Sequence, residues 1–362
     1  MKQYLCSAGV LALCAGSAIA GGIDRSGQFL GVIFETGDYA ELSFGTVSPD
    51  VSGTAVAAAG GAFSGGMTSD FLQMGAAVKT NLRDGIDIAL IFDQPFGADV
   101  AYPTGTGYYA AGTTAELKTN ALTLVGKYTL PSNVSLLAGL RYQTFSAEAF
   151  VPFVAEYSAV GESDGGLGYL VGVAYEKPEI ALRVALTYNS GIEHSLQTAE
   201  NSTFGASSGI TDLETPQSVN LEFQFGVAKD TLVFGSVRWV DWSAFVIDPA
   251  AYLPTTPLVS YEGDYTTYAL GVGRKLSDSW SAAVTLGYEK PIGGFSSNLG
   301  PADGQKSIGL GATYTRDKMK ITGGVRYVEI GDAQPSLPGL EPSANFNDNS
   351  AVGFGVKISY SF

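Results

Sequence analysis

Cysteine, histidine, charge and long apolar runs are all scarce in this chain, and each scarcity excludes something. The 362 residues contain two cysteines and one histidine. Both cysteines, Cys6 and Cys14, fall within the first twenty residues. The remainder therefore has no disulfide, no thiolate metal site and no cysteine nucleophile. The single histidine, His194, is placed as a polar residue at the outer end of a strand. Its neighbours Glu193 and Ser195 would then point to the other face, so no oriented histidine base is available for hydrolysis. Neither catalysis, a cofactor nor a metal is expected, and no loop has calcium-binding spacing. No glycine-rich loop follows a strand and opens a helix to cradle a phosphate. Charged residues make up 15%, against about 25% in soluble domains. The net charge is −15, which argues against nucleic acid as a partner, because phosphates are engaged by Lys and Arg. No apolar run after residue 20 is long enough for a membrane-spanning helix.

The N-terminus sets a compartment. Lys2 precedes an apolar run, Leu5 to Ala15, that ends in Ser17-Ala18-Ile19-Ala20. A basic start, a short apolar core and a small-x-small end read as a secretory signal peptide over 1–20, cleaved after Ala20. A lipoprotein anchored at Cys14 is the alternative, although Leu13 stands where Gly or Ala is expected. At the other end, Val352, Phe354, Val356, Ile358, Tyr360 and Phe362 alternate with Gly353, Gly355, Lys357, Ser359 and Ser361. A period of two puts the apolar set on one face of a strand, as in a membrane barrel strand. The terminal Phe resembles the C-terminal signature of bacterial outer-membrane proteins.

About fourteen such segments can be laid out, each long enough to cross a bilayer when tilted. They run near 39–48, 70–82, 86–96, 116–129, 134–148, 166–176, 180–196, 217–228, 231–242, 264–276, 280–289, 305–316, 318–329 and 349–362. Short turns, such as Arg83-Asp84-Gly85, Pro131-Ser132-Asn133 and Lys229-Asp230, alternate with long loops near 49–69, 97–115, 149–165, 197–216, 243–263, 290–304 and 330–348. That asymmetry is the one expected of short periplasmic turns and long outer loops. The expected fold is an all-β transmembrane antiparallel barrel of about fourteen strands over 38–362. Residues 21–37, with Ile23, Phe29, Leu30, Val32, Ile33 and Phe34 beside Asp24 and Arg25, are too apolar for a solvated tail. They are read as a short N-terminal hatch inside the barrel, and the recurrent inward glycines would leave it room.

Several stretches carry a family resemblance. Tyr39-Ala40-Glu41-Leu42-Ser43-Phe44 leads to Ser48-Pro49-Asp50-Val51-Ser52-Gly53. Phe92-Asp93-Gln94-Pro95-Phe96-Gly97 leads through a Tyr/Gly-rich loop to Ala115-Glu116-Leu117-Lys118-Thr119-Asn120. Val237-Arg238-Trp239-Val240-Asp241-Trp242-Ser243-Ala244-Phe245 and Tyr261 to Leu276 with Trp280 follow in order. In content and spacing the chain resembles the FadL-type outer-membrane transporters of long-chain fatty acids and other hydrophobic compounds. The resemblance implies a monomeric fourteen-stranded barrel with a hatch, loop capture of cargo, an apolar lumen site, and sideways exit at a kinked third strand. Asp93, Pro95 and Gly97 are the positions implied for that kink. The family's Asn-Pro-Ala hatch motif is absent here.

The expected function is passive uptake of hydrophobic small molecules across the bacterial outer membrane, with long-chain fatty acids the leading cargo and aromatic hydrocarbons another. Outer-membrane lipid and lipopolysaccharide would surround the barrel. A general porin and a structural or adhesive barrel are the alternatives. A cargo carboxylate would seek an inward cation, and Arg141, Arg238 and Arg326 lie at mid-height. Phe150, Phe153, Tyr157 and Phe204 in the outer loops, with Phe29 and Phe34 in the hatch, are the candidate apolar contacts. Tyr102, Tyr108 and Tyr109 are further loop candidates. The other inward charges, among them Lys79, Lys127, Lys357, Glu41, Asp87 and Glu176, are expected to pair with one another.

Overall fold

The computed structural model describes residues 23–362. The expected signal peptide and its cleavage site lie outside the described residues. Fourteen staves form one antiparallel wall: β1 Tyr39–Asp50, β2 Phe71–Arg83, β3 Ile86–Asp93 resumed as Gly97–Ala101, β4 Thr114–Thr129, β5 Val134–Val151, β6 Tyr157–Lys177, β7 Leu182–Asn189 resumed as Ile192–Ser202, β8 Gly205–Thr215 resumed as Ser218–Ala228, β9 Thr231–Val240, β10 Tyr265–Lys275, β11 Trp280–Glu289, β12 Gln305–Arg316, β13 Met319–Ile330 and β14 Asn349–Ser361. Each pairs with the next, and β14 pairs back onto β1 from Tyr39↔Ser361 to Asp50↔Ser350. Closure removes the sheet edges that hydrocarbon could not satisfy.

Alternation decides the faces. Along β4, Leu122 and Leu124 are 45% and 52% exposed while Ala121 and Val125 are 1% and 0%. The same period puts Leu136, Leu140, Leu270, Leu286, Leu310, Val356 and Ile358 on the outside, a continuous apolar belt suited to hydrocarbon. Aromatic side chains edge the belt on both sides. Trp280 and Tyr314 meet at 5.1 Å and Tyr360 and Phe362 at 5.1 Å at the short-turn end, and Tyr169–Tyr188 and Tyr268–Tyr288 at the loop end. The short turns use residues that tolerate left-handed backbone: Gly85 (φ 77°), Asn133 (65°), Asp230 (60°) and Asp317 (54°).

Two outer loops differ from expectation. Residues 149–165 and 197–216 are mostly strand. β6 begins at Tyr157, and β7 and β8 pair from Ile192↔Thr215 to Ser202↔Gly205. These extensions rise beyond the belt, so they need no lipid-facing apolar set, and Ser, Thr and Gly hide the strand pattern there. One consequence is that His194 is not at a strand end. It is buried mid-strand against the Phe145 ring at 5.5 Å, with Nδ1 3.4 Å from Asp164 Oδ2. Ser195 faces the other way and donates its hydroxyl to Asp212 at 2.6 Å.

The described N-terminal residues lie within the barrel. A 3-10 turn, Gly31–Phe34, sits in the short-turn half. Leu30, Val32 and Ile33 are buried there against Ala77, Val125, Leu137, Leu170, Ala174 and Ala185. Around this turn the inward charges pair: Lys79 with Asp87 at 2.6 Å, Lys127 with Asp87 at 3.2 Å and Glu176 at 3.7 Å, and Lys357 with Glu41 at 3.1 Å. Buried charges persist where they are paired in this way.

Candidate functional site

The ladder between β2 and β3 breaks off partway up the wall. β2 and β3 pair from Arg83↔Ile86 up to Ala76↔Phe92 and then part. After the break, Gly97–Ala101 pairs with β4 and, on its other side, meets the chain leading into β2, with a Thr68↔Val100 bridge and the Ala101 N–H on Met67 O at 2.8 Å. The cause is local. Pro95 has no N–H to give a ladder, and its carbonyl turns inward to accept the backbone N–H of Arg25 at 2.7 Å. Phe96 follows into the lumen, 2% exposed, edge-on to Trp242 at 5.6 Å. Its backbone N–H is met by Thr119 Oγ1 at 2.8 Å, and Gly97 donates its N–H to Ile23 O at 2.9 Å. A Cβ at Gly97 would stand 2.4 Å from the Arg25 guanidinium carbon, so any side chain there would push Arg25 aside. Over Pro95–Gly97 the third strand thus exchanges its partner β2 for the N-terminal segment.

Three consecutive residues of that segment are tied to the wall. Asp24 accepts a bond from Arg238 Nε of β9 at 2.5 Å. Arg25 pairs with Asp99 beyond the break and lies 3.9 Å from the Phe71 ring centroid of β2. Ser26 Oγ donates to Asp93 Oδ2 at 2.5 Å, just before the break. Gln28 Oε1 accepts from Ser218 Oγ at 3.0 Å and Arg238 Nη2 at 3.2 Å. A shift of the segment must therefore disturb both sides of the kink.

Above and below this tie the interior is hollow. A vestibule of about 730 Å³ opens among the outer loops, lined by Phe153, Tyr157, Phe204, Tyr252, Leu258 and Leu299. Tyr109 in its wall belongs to an aromatic cluster. Tyr102 and Tyr108 stack at 5.6 Å, Tyr108 and Tyr109 at 4.3 Å, and Phe346 meets Tyr108 edge-on. Asn298 accepts from Tyr102 and Tyr109 at 2.7 and 2.6 Å. Burial raises the phenol pKa of all three tyrosines. Leu258 and Leu299 also line a narrower apolar cavity of about 70 Å³ with Ile23, Leu117, Leu196, Ile247 and Tyr261. A third space, with Arg25, Phe71 and Val100, shares Ile23 and Leu299 with it. Past Arg25 lies a fourth, of about 170 Å³, which reaches the break between β2 and β3 at Met74, Ala76, Phe92 and Asp93. Inward Gly45, Gly75, Gly353 and Gly355 leave that space open, and Phe29 and Arg141 also line it. The four spaces form a chain from loops to wall, closed at Ile23–Ser26.

The sequence-selected residues divide accordingly. Phe153, Tyr157 and Phe204 share the vestibule, and Phe29, Arg141 and Arg326 share the space at the break. Arg238 is committed to Asp24, Gln28, Ser218 and Asn220 with its side chain 4% exposed, so it holds the N-terminal segment. Phe34 is also elsewhere, beneath the Arg183 guanidinium at 4.6 Å and Lys127 at 5.1 Å. Phe150 points outward and is 39% exposed. Plain alternation explains it: along β5 the odd-numbered Phe145, Ala147 and Val151 face inward, and Phe150 shares the outer face with Leu136, Leu140 and Tyr142. Arg141 donates to Thr123 Oγ1 at 2.8 Å and Asn189 Oδ1 at 3.3 Å, and among the described residues no carboxylate forms an ion pair with it. Arg326 Nη2 donates to Ser307 Oγ at 2.8 Å. Sequence reasoning missed the ties made by Asp24, Arg25, Ser26 and Gln28. The sign available was charge inside an otherwise apolar run.

No family model and no curated protein matches the chain. Solved structures do. A Pseudomonas aeruginosa FadL homologue superposes with a TM-score of 0.76 at 15% identity, over 100% of this chain and 99% of that one. The Pseudomonas putida toluene transporter TodX gives 0.66 at 13%, over 95% and 96%. The Ralstonia pickettii toluene transporter TbuX gives 0.67 at 12%, over 98% and 97%. Across essentially its whole described length, this chain has the fold of those barrels.

Proposed function

We propose that this chain is a FadL-type channel of the outer membrane that takes up hydrophobic small molecules passively and releases them sideways through the wall. One observation carries the reading: the chain of cavities that begins at an aromatic vestibule and ends at the β2–β3 break. Apolar cargo partitions into such spaces at about 0.8 kcal/mol per methylene, and a lateral exit delivers it to hydrocarbon without crossing water. The N-terminal segment is the hatch on this path, and its ties at Asp24, Arg25 and Ser26 keep the path closed at rest. The neighbours' described roles, toluene transport in two of the three, agree with hydrophobic cargo. A filled lumen disfavours a general porin.

Cargo identity turns on charge. Among the described residues, no cation lines the vestibule or the narrow cavity beside it, while the space at the break holds Arg141, which forms no ion pair with a carboxylate. A fatty acid would set its carboxylate there and its tail toward the opening. The test is uptake of radiolabelled oleate and toluene by a host lacking its own outer-membrane route, with wild type and Arg141→Ala. Oleate uptake lost and toluene uptake kept in the variant supports an anion site at Arg141. Uptake of neither compound by an assembled wild-type barrel overturns the reading.

A further inference from the structure

We propose that Gln94 is a crossbar over the lateral opening that limits it to slender cargo. The inference rests on sideways release and adds the residue that sets the width of the exit. Where β2 and β3 part, continued register would place Met74 opposite Gln94, two positions beyond Ala76↔Phe92. The backbone of β3 has turned inward by then, so the Met74 N–H has lost its strand partner. The Gln94 side chain takes its place: Oε1 accepts from Met74 N at 2.9 Å, and Nε2 donates to Asn120 Oδ1 at 3.2 Å. The acceptor must be the oxygen, because Met74 offers only a donor, and this fixes the amide orientation. One side chain therefore spans from β2 to β4 across the line of the missing strand. Asn120 is exposed on the outer face of β4, one outward position above Leu122, so the bar lies on the lipid side of the barrel.

The geometry gives a size. The break runs from the last rung, Ala76↔Phe92, up to the Ser69 N–H bond to Asp99 O; its upper part is filled by Arg25 against Phe71, and the bar at Met74 bounds from above the lower part, which the fourth cavity reaches. Two residues of strand correspond to about 7 Å. An alkyl chain or a single ring presented edge-on fits such a window, and a broad fused-ring system does not. The bar is polar in an apolar setting, and it persists because a strand N–H left bare in lipid is costly. Opening wider requires the bar to release one of its two ends.

The experiment compares uptake of radiolabelled toluene and pyrene by wild type, Gln94→Ala and Asn120→Leu. Asn120→Leu frees only the far end of the bar and leaves Met74 capped, so it serves if Gln94→Ala does not assemble. A third protein, Met74→Cys/Phe92→Cys bridged by a short bis-methanethiosulfonate, which forms a disulfide with each cysteine as methanesulfinate leaves, blocks the exit itself. The expected result is pyrene uptake raised more than tenfold in the bar variants, toluene uptake within twofold of wild type, and both lost in the bridged protein. Unchanged pyrene uptake in the assembled variants overturns the crossbar alone. Undiminished toluene uptake in the bridged protein overturns sideways release, and the crossbar with it.

Discussion

Replacing Asp24 with Asn tests whether the N-terminal segment acts as a hatch held by Arg238. In the resting protein the Arg238 guanidinium, its side chain 4% exposed, faces the Asp24 carboxylate with Nε 2.5 Å from Oδ2. Asn keeps the shape and one acceptor but removes the charge. A hydrogen bond to a charged group is worth about 1.5–3 kcal/mol and a neutral one about 0.5–1.5, so the loss is about 1–2 kcal/mol. At 1.36 kcal/mol per tenfold, the displaced state of the hatch should become about 5- to 30-fold more populated. Asp24→Ala leaves the buried guanidinium unopposed, a cost of about 3–5 kcal/mol, and should open the lumen more than 100-fold as often. Planar-bilayer recordings read the fraction of time that ions pass. Asp24→Asn/Arg238→Gln removes both partners and should fall between wild type and Asp24→Ala. Conduction at the wild-type level in both single variants, with heat-modifiable migration showing an assembled barrel, would refute the assignment of this pair as the hatch tie.

Three further outcomes follow from the same geometry. Gly353→Leu places a side chain in the space at the break, where a Cβ meets Val47 at an ordinary 3.7 Å; uptake of oleate and toluene should both fall more than tenfold while the thermal unfolding of the barrel is unchanged. Ile33→Ala removes a fully buried side chain between the hatch turn and Val125, Leu137 and Leu170, and should destabilise hatch docking by about 2–5 kcal/mol, read as increased accessibility of a Cys introduced at Ser26. Tyr102, Tyr108 and Tyr109 have phenol pKa values raised by burial. A raised folded-state value means their packing is fully present below pH 10, the unfolded value, and is lost as pH rises beyond it. Protease cleavage of the 102–113 loop should be flat to about pH 9 and increase above about pH 10.

The strands of the belt were legible because each carries one lipid-facing apolar set, and two-residue periodicity needs no tertiary information. Those of the β6–β8 extensions were not, because Gly161, Thr198 and Ser207 stand beyond the lipid, where nothing enforces an apolar face. The break at Pro95 could be read from the missing N–H. Its consequence could not: the partner that replaces β2 comes from Ile23 and Arg25, seventy residues away in sequence, and no local pattern encodes that pairing. The same limit explains Arg238 and Phe34. Each was correctly placed inside the barrel, but whether an inward cation meets cargo or hatch depends on Asp24, Lys127 and Arg183 arriving from other elements. Gln94 sat within a quoted motif, and its role appears only once Met74 is seen to lack a strand partner.

Sideways release is the central claim, and closing the wall tests it most directly. The described residues contain no cysteine, so Met74→Cys/Phe92→Cys carries the only thiols near the opening. Toluene uptake should be normal in the reduced protein, fall to the background of the empty host when the two thiols are bridged, and return on reduction of a cleavable bridge. Uptake that continues at the reduced-protein rate with the bridge intact would contradict lateral exit and place the route through the bottom of the barrel.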